Sequence, residues 1–339
     1  MKKIFISIIV IAAIVSCAKD SPALIDAQTQ LDFFKDWMRR NHPSAKELKD
    51  GVFMEYVERG KGETTIESLT SWLQLNYTMR TMENLVFATR DSNISRTVGA
   101  WSRTTHFCDD FVFYNPSDTK FSAGGWSAML DLKGGDHVKM YVPAHLGYNA
   151  SLGMNIPLAY NGEKGVSYQD RPYIFELKIK AITDKPDIYE RDSVEKWALE
   201  KWRLRPGDTI VEGIFMKKIV ENPGGNPIAK DSTVSLNLTT FFTDKFIIST
   251  TSETIAKEYK IYDPINKSYY PKAVVVGNET DNEILNKVLP FMRQGETAEI
   301  LTVSKWTKEG VNGDAASVPQ ILPYQPRIYL VTVIPPEKK

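Results

Sequence analysis

Gly124-Gly125-Trp126-Ser127-Ala128-Met129-Leu130-Asp131-Leu132-Lys133-Gly134-Gly135-Asp136-His137-Val138-Lys139-Met140-Tyr141-Val142 is the stretch whose reading decides the fold. Residues 125–132 fit a short helix, Gly134-Gly135 closes it, and 137–142 read as a strand. Upstream, Val52, Met54 and Tyr56 alternate with Phe53, Glu55 and Val57, and Glu58-Arg59-Gly60-Lys61-Gly62 supplies a turn. Leu73-Gln74-Leu75-Asn76-Tyr77 alternates again, and residues 173–182 alternate strictly. One short helix therefore has strands on both sides of it. Between 142 and 173 lies a loop rich in Gly, Asn and Pro, and loops that long in a compact domain are usually functional or lids. Ahead of it all, Leu31, Phe34, Trp37 and Met38 have helical spacing across 26–40, and Pro43 ends that helix.

The same order of elements returns downstream. Gly213-Ile214-Phe215-Met216 parallels Gly51-Val52-Phe53-Met54, and Val234-Ser235-Leu236-Asn237-Leu238 parallels Leu73-Gln74-Leu75-Asn76-Tyr77. Residues 283–295 and 299–303 repeat the short helix and strand, and 326–334 repeat 172–182. A duplication at a period of about 150 residues accounts for the length of the chain. The fold class is α+β: each copy an antiparallel sheet wrapped on a helix, preceded by an N-terminal helix and joined by a helical connector. On that connector Val194, Trp197, Ala198 and Trp202 share one face, which predicts packing against a domain rather than a solvated helix.

The first copy resembles FKBP-type peptidyl-prolyl cis-trans isomerases. The blocks that carry the likeness are Gly124-Gly125-Trp126, Tyr141-Val142-Pro143-Ala144-His145-Leu146-Gly147-Tyr148, and the last strand from Tyr173. The resemblance implies two tandem FKBP-like half-barrels, at 51–183 and, in degenerate form, 209–335, with the connector at 184–208. It also implies an aromatic pocket made by Tyr77, Phe87, Trp126, Tyr148 and Phe175, with Trp126 as floor and the Tyr148 hydroxyl donating to a substrate carbonyl. Ala88 stands where the family has an Asp, Ser122 and Ala123 replace two apolar residues, and 89–120 is an insertion relative to compact members. In the second copy Leu238 replaces the tyrosine, the tryptophan is missing near Leu285, and Tyr329 alone keeps a wall aromatic. That copy reads as a binding or scaffold domain.

Such a pocket needs no cofactor, nucleophile or metal. Rotating an X–Pro bond meets a barrier of about 18–20 kcal/mol because resonance gives the C–N bond double-bond character. The charge-separated resonance form is better solvated by water than by rings, so an apolar pocket favours the twisted amide. A thousandfold gain asks for only about 4 kcal/mol.

The other readings are simpler. Rings at this spacing could serve as core alone. His106 and Cys108 would share a strand face, but no second His or Cys pair completes a tetrahedral metal site. Gly124-Gly125 lacks the lysine and hydroxyl of a phosphate loop. Apolar content of 42% and charged content of 25% are those of a folded chain. Lys plus Arg total 42 and Asp plus Glu total 42, so no net field recruits nucleic acid.

Lys2 and Lys3 precede an apolar run over 4–15, which ends at Ser16-Cys17. About twelve residues are too few to span about 30 Å of hydrocarbon, and the pattern reads as a secretory signal at 1–16. Cys17 after a small residue resembles a bacterial lipobox, which implies an acylated (palmitate-bearing) lipoprotein with a tether and helix at 17–50. Ala18 at the next position resembles sorting to the outer membrane, its periplasmic or surface face left open. An ordinary signal peptide with an incidental cysteine is the alternative. The expected function is a tethered isomerase, or rotamase, assisting folding at X–Pro bonds of outer-membrane or secreted clients. The rival is a non-catalytic lipoprotein subunit of an outer-membrane assembly or secretion complex, docking through its half-barrels.

Overall fold

In the computed structural model, residues 27–67, 69–118, 121–147, 171–204, 209–265, 268–278 and 283–336 are described. Helix α1 (Ala27–Asn41) leads into β1 (Lys46–Glu47), β2 (Phe53–Glu58), β3 (Trp72–Thr81) and β4 (Val86–Thr89). Next come α2 (Ser92–Thr97), β5 (Asp110–Phe113), α3 (Ala123–Met129), β6 (His137–Val142) and β7 (Tyr173–Thr183). The strands form one antiparallel sheet in the order β1-β2-β6-β7-β3-β4, with β5 also on β3. Alternation along β3 and β7 sends Leu73, Leu75, Tyr77, Phe175, Leu177 and Ile179 to one face, where α3 packs with Trp126, Ala128 and Met129.

The second unit repeats this strand for strand. Helix α4 (Pro186–Trp197) ends in a π turn over Ala198–Trp202 and is followed by β8 (Thr209–Val211), β9 (Ile214–Val220) and β10 (Thr233–Phe242). Then come β11 (Ile247–Thr250), α5 (Glu253–Glu258), β12 (Lys272–Val275), α6 (Glu283–Val288), β13 (Thr297–Thr302) and β14 (Arg327–Ile334). Its order is β8-β9-β13-β14-β10-β11, with β12 on β10. The equivalence holds to the residue. Thr78 faces Thr89 with hydroxyls 2.8 Å apart, and Thr239 faces Thr250 at 2.7 Å. Before β6 the Asp136 carboxylate accepts from the amides of Lys133 and Gly60, both at 2.8 Å. Before β13 Glu296 accepts from the Arg293 amide at 2.8 Å and from Lys218 at 3.0 Å.

Two features extend the repeat beyond its sequence signal. The stretch 89–120 holds α2 and β5, and the second unit has the matching pair α5 and β12, so this segment belongs to the repeat. Each unit also carries a helix on the back of its sheet. Phe34 and Met38 of α1 bury against Phe53 and Tyr141, while Val194, Ala198 and Trp202 bury against Phe215, Leu301, Val303 and Ile328. Trp197 is partly buried against the same cluster. The connecting helix is therefore the back cover of the unit that follows it. Among the described residues no helix is long and apolar enough to cross a membrane.

Candidate functional site

The start of α3 is built to press Trp126 into the concave face. Ser122 caps the helix, its hydroxyl accepting from the Gly125 amide at 3.2 Å and sharing a 2.6 Å bond with the Tyr173 hydroxyl. At Gly124 a Cβ would lie 2.5 Å from a Val142 methyl and 3.0 Å from Leu146 Cβ. Only glycine lets the helix approach β6 this closely. Trp126 is fully buried, its indole N–H donating to the Asp118 carbonyl at 2.9 Å and its carbonyl accepting from Tyr114 at 2.8 Å.

Of the five aromatic residues singled out above, four lie in one core cluster: Tyr77, Phe87, Trp126 and Phe175. Tyr77 meets Phe175 edge-on at 5.8 Å. Phe87 stands at the margin, edge-on to Tyr173 at 6.0 Å, and Tyr173 continues to Phe175 at 6.4 Å. Tyr148 lies outside the described residues, and so does Cys17.

A sixth ring occupies the middle. Phe121 is 1% exposed, with its centroid 4.9 Å from Trp126, 5.2 Å from Tyr77 and 5.3 Å from Phe175. The contacts with Tyr77 and Trp126 are edge-to-face, a geometry that contributes about 0.5–1.5 kcal/mol each beyond burial. The centre of this cluster is filled by the chain's own Phe121 ring. A recess of about 130 Å³ lies beside the cluster, between Phe87, Tyr173 and Arg171, not within it.

A carboxylate does reach the Tyr77 hydroxyl, from β5 and not from position 88. Ala88 is a buried strand residue opposite Met79. Asp110 of β5 places Oδ2 3.4 Å from the Tyr77 hydroxyl, which donates to it, and 3.3 Å from Arg90 Nε. Burial opposes the Arg90 charge, but Asp110 and the Tyr77 oxygen outweigh it and hold the guanidinium above its ordinary pKa. Burial likewise pushes the Tyr77 phenol up, so it stays a neutral donor. Neither Phe121 nor the Asp110–Arg90 pair was singled out from the sequence. The available signal was Phe121 itself, a large apolar residue one position ahead of the Ser122-Ala123 replacement.

An antiparallel sheet packs one short helix on one face, with Phe121 between the helix tryptophan and the rings of Tyr77 and Phe175, and the strand order occurs twice. The fold is α+β, consistent with tandem FKBP-like domains. No family model matches the chain, and no curated protein matches it. Among solved structures it is similar to the three FKBP domains of wheat FKBP73, at 13% identity and TM-score 0.29 over 86% of this chain and 98% of that one. It is also similar to a peptidyl-prolyl cis-trans isomerase from Pseudomonas syringae pv. tomato, at 17% identity and TM-score 0.33 over 48% of this chain and 98% of that one. The N-terminal domain of FKBP42 from Arabidopsis thaliana is similar at 20% identity and TM-score 0.30, covering 39% and 91% of the two chains.

Proposed function

We propose that this protein is a lipid-anchored, extracytoplasmic docking subunit of an outer-membrane assembly or secretion complex, in which tandem FKBP-like half-barrels serve as rigid binding modules. The single observation that carries this reading is Phe121, whose ring fills the centre of Tyr77, Trp126 and Phe175. Close-packed interiors leave no room for a guest ring without displacing one of their own. The anchor rests on Cys17 after the apolar run of 4–15.

A second reading has its own support. Four of the five aromatic residues converge, and the Tyr77 hydroxyl retains a carboxylate partner in Asp110. That arrangement favours an isomerase acting on X–Pro bonds of outer-membrane or secreted proteins. A refolding assay on a client limited by prolyl isomerisation separates the two, since that step takes tens to hundreds of seconds without help. The docking reading expects rates unchanged by the wild-type protein. Acceleration that is lost in Phe87→Ala would overturn it and establish the isomerase. Phe121→Ala adds a direct probe: activity gained only in this variant identifies the ring as what closes the hollow. For the anchor, Cys17→Ser is expected to move the protein from the membrane fraction to the soluble one.

A further inference from the structure

Helix α1 covers its sheet with one face and turns two aromatic side chains to solvent on another. Phe34 and Met38 bury against Phe53 and Tyr141, while Phe33 is 62% exposed. Trp37 leans on His42, with ring centroids 5.3 Å apart, and is still 37% exposed. Phe33, Trp37 and Arg40 are spaced i, i+4, i+7 and so form one stripe along the helix. Asp32 and Asp36 stand one residue back from the two rings, about 100° around the helix, where they have partners of their own. Asp32 accepts from Gln28 at 2.9 Å and Asp36 from Arg39 at 3.3 Å. Arg40 is exposed and donates through Nε to the Asp36 main-chain carbonyl at 3.1 Å. Beside Phe33 the stripe continues into a groove of about 250 Å³ walled by Pro143, Ala144 and Pro172. This flank is apolar with a cationic edge.

The helix on the back of the second unit is finished differently. Trp202 is buried and Trp197 partly buried against Phe215, Leu301 and Ile328, the two indoles edge-on at 5.4 Å. Covering a sheet therefore does not require rings left outside. What sets α1 apart is its place in the chain. Cys17 stands ten residues ahead of Ala27, a connection that reaches at most about 35 Å when fully extended. A bilayer that holds a lipid on Cys17 is thus always close to the stripe. Tryptophan is enriched at membrane–water interfaces, and phenylalanine serves as an apolar anchor of helices lying there. Two rings bind too weakly to hold a free protein on a membrane, but a short tether raises their effective concentration to about millimolar and makes the contact persist.

We propose that the Phe33–Trp37 flank of α1 lies in the headgroup region of the bilayer carrying the Cys17 lipid and holds the first unit against it in one orientation. This contact rests on the lipid anchor proposed above and adds to it a second attachment made by the protein itself. It stands whether or not the first half-barrel turns over substrate.

Quenching of Trp37 fluorescence by lipids brominated in the upper acyl chain tests it, on phosphatidylethanolamine–phosphatidylglycerol vesicles. Trp37 emission is read as the difference between the wild-type protein and Trp37→Phe. Two preparations separate this contact from the anchor. One is the protein as purified from membranes; the other is the chain from residue 17 with Cys17→Ser, held on the vesicles by an N-terminal histidine tag and nickel-chelating lipid. In both, brominated lipid should lower Trp37 emission about twofold or more relative to unbrominated lipid. Phe33→Ser should cut that quenching by about half, with the circular dichroism spectrum unchanged because the ring is exposed. Quenching in the tag-held chain, with no acyl group found on Cys17 by mass spectrometry, would remove the anchor and support the flank. Trp37 unquenched in both preparations would overturn the proposal. Shielding of Trp37 from aqueous acrylamide only when outer-membrane proteins are present would also overturn it, assigning the flank to a protein partner.

Discussion

Tyr77 and Leu238 occupy the same register, each beside a cross-strand threonine pair, Thr78–Thr89 in one unit and Thr239–Thr250 in the other. Around Tyr77 the first half-barrel gathers Phe121, Trp126 and Phe175; around Leu238 the second gathers Leu285, Val288, Ile300 and Tyr329. The strand order is identical in both. An aliphatic filling is thus enough to hold this topology, and the rings of the first unit are not required by the sheet. The buried charges differ in the same way. Arg90 and Asp110 form an ion pair inside the first unit, and the position matching Arg90 is Thr251, whose amide makes the equivalent 2.9 Å bond to Leu238.

The largest difference should appear on removing that charge pair. Asp110→Ala leaves Arg90 buried without its carboxylate and should cost about 3–5 kcal/mol, read as a lower urea midpoint. Because no fully buried ion pair lies among the described residues of the second unit, hydrogen exchange should speed in β3 and β4 while β10 and β11 stay protected. An exchange pattern that loosens both units equally would mean they unfold as one body.

Glu190 offers the converse, a group whose effect belongs to the second unit. Burial raises its carboxyl to about 7 from the ordinary 4.5, against the hydrogen bonds from Ser304. The folded state holds the proton more tightly than the unfolded one. Its stabilisation is therefore full below pH 4.5 and lost as pH rises through about 7, to an extent of at most about 3 kcal/mol. Thermal unfolding at pH 5.5 and pH 8 should differ accordingly, and Glu190→Gln should flatten that difference.

Leu238→Tyr asks whether the second core can accept the ring its counterpart carries. Overpacking without the surrounding rearrangement should cost about 1–3 kcal/mol. A neutral result would indicate room that the aliphatic side chains do not reveal. The smallest expected effect is a matched one. Asp91 caps α2 and Ser252 caps α5, each accepting from amides of the first turn. Asp91→Ala and Ser252→Ala should each cost about 1 kcal/mol, and similar losses would mean the two helices contribute alike.

Much of this architecture was legible because it is local. Glycine turns, the period-two alternation of residues 73–77 and 173–182, and the short helix after Gly124-Gly125 are fixed by near neighbours in the chain. The duplication was visible for the same reason, since the matching blocks are short and ordered. The contents of the concave face were not. Phe121 reaches the centre only after the chain has passed through α2 and β5 and returned, so no periodicity marks it. Asp110 meets Tyr77 across 33 residues, a contact that sequence position alone does not mark. The segment holding Trp197 and Trp202 has a helical signature, but which sheet it covers depends on packing with Phe215 and Ile328. The convergence of Tyr77, Phe87, Trp126 and Phe175 followed from registers the alternation already set, whereas Tyr148 lies outside the described residues.

The bonds that tie His106 to the second unit also impose an order on biosynthesis. Its ring is partnered by Asp244 and Gln325, which lie 138 and 219 residues further along. At a synthesis rate of about 5–20 residues per second, the ribosome delivers Gln325 roughly ten seconds or more after His106. During that interval the edge of the nascent first unit faces the surroundings with its glutamine partner not yet made, and any holdase that meets the growing chain has that window in which to act.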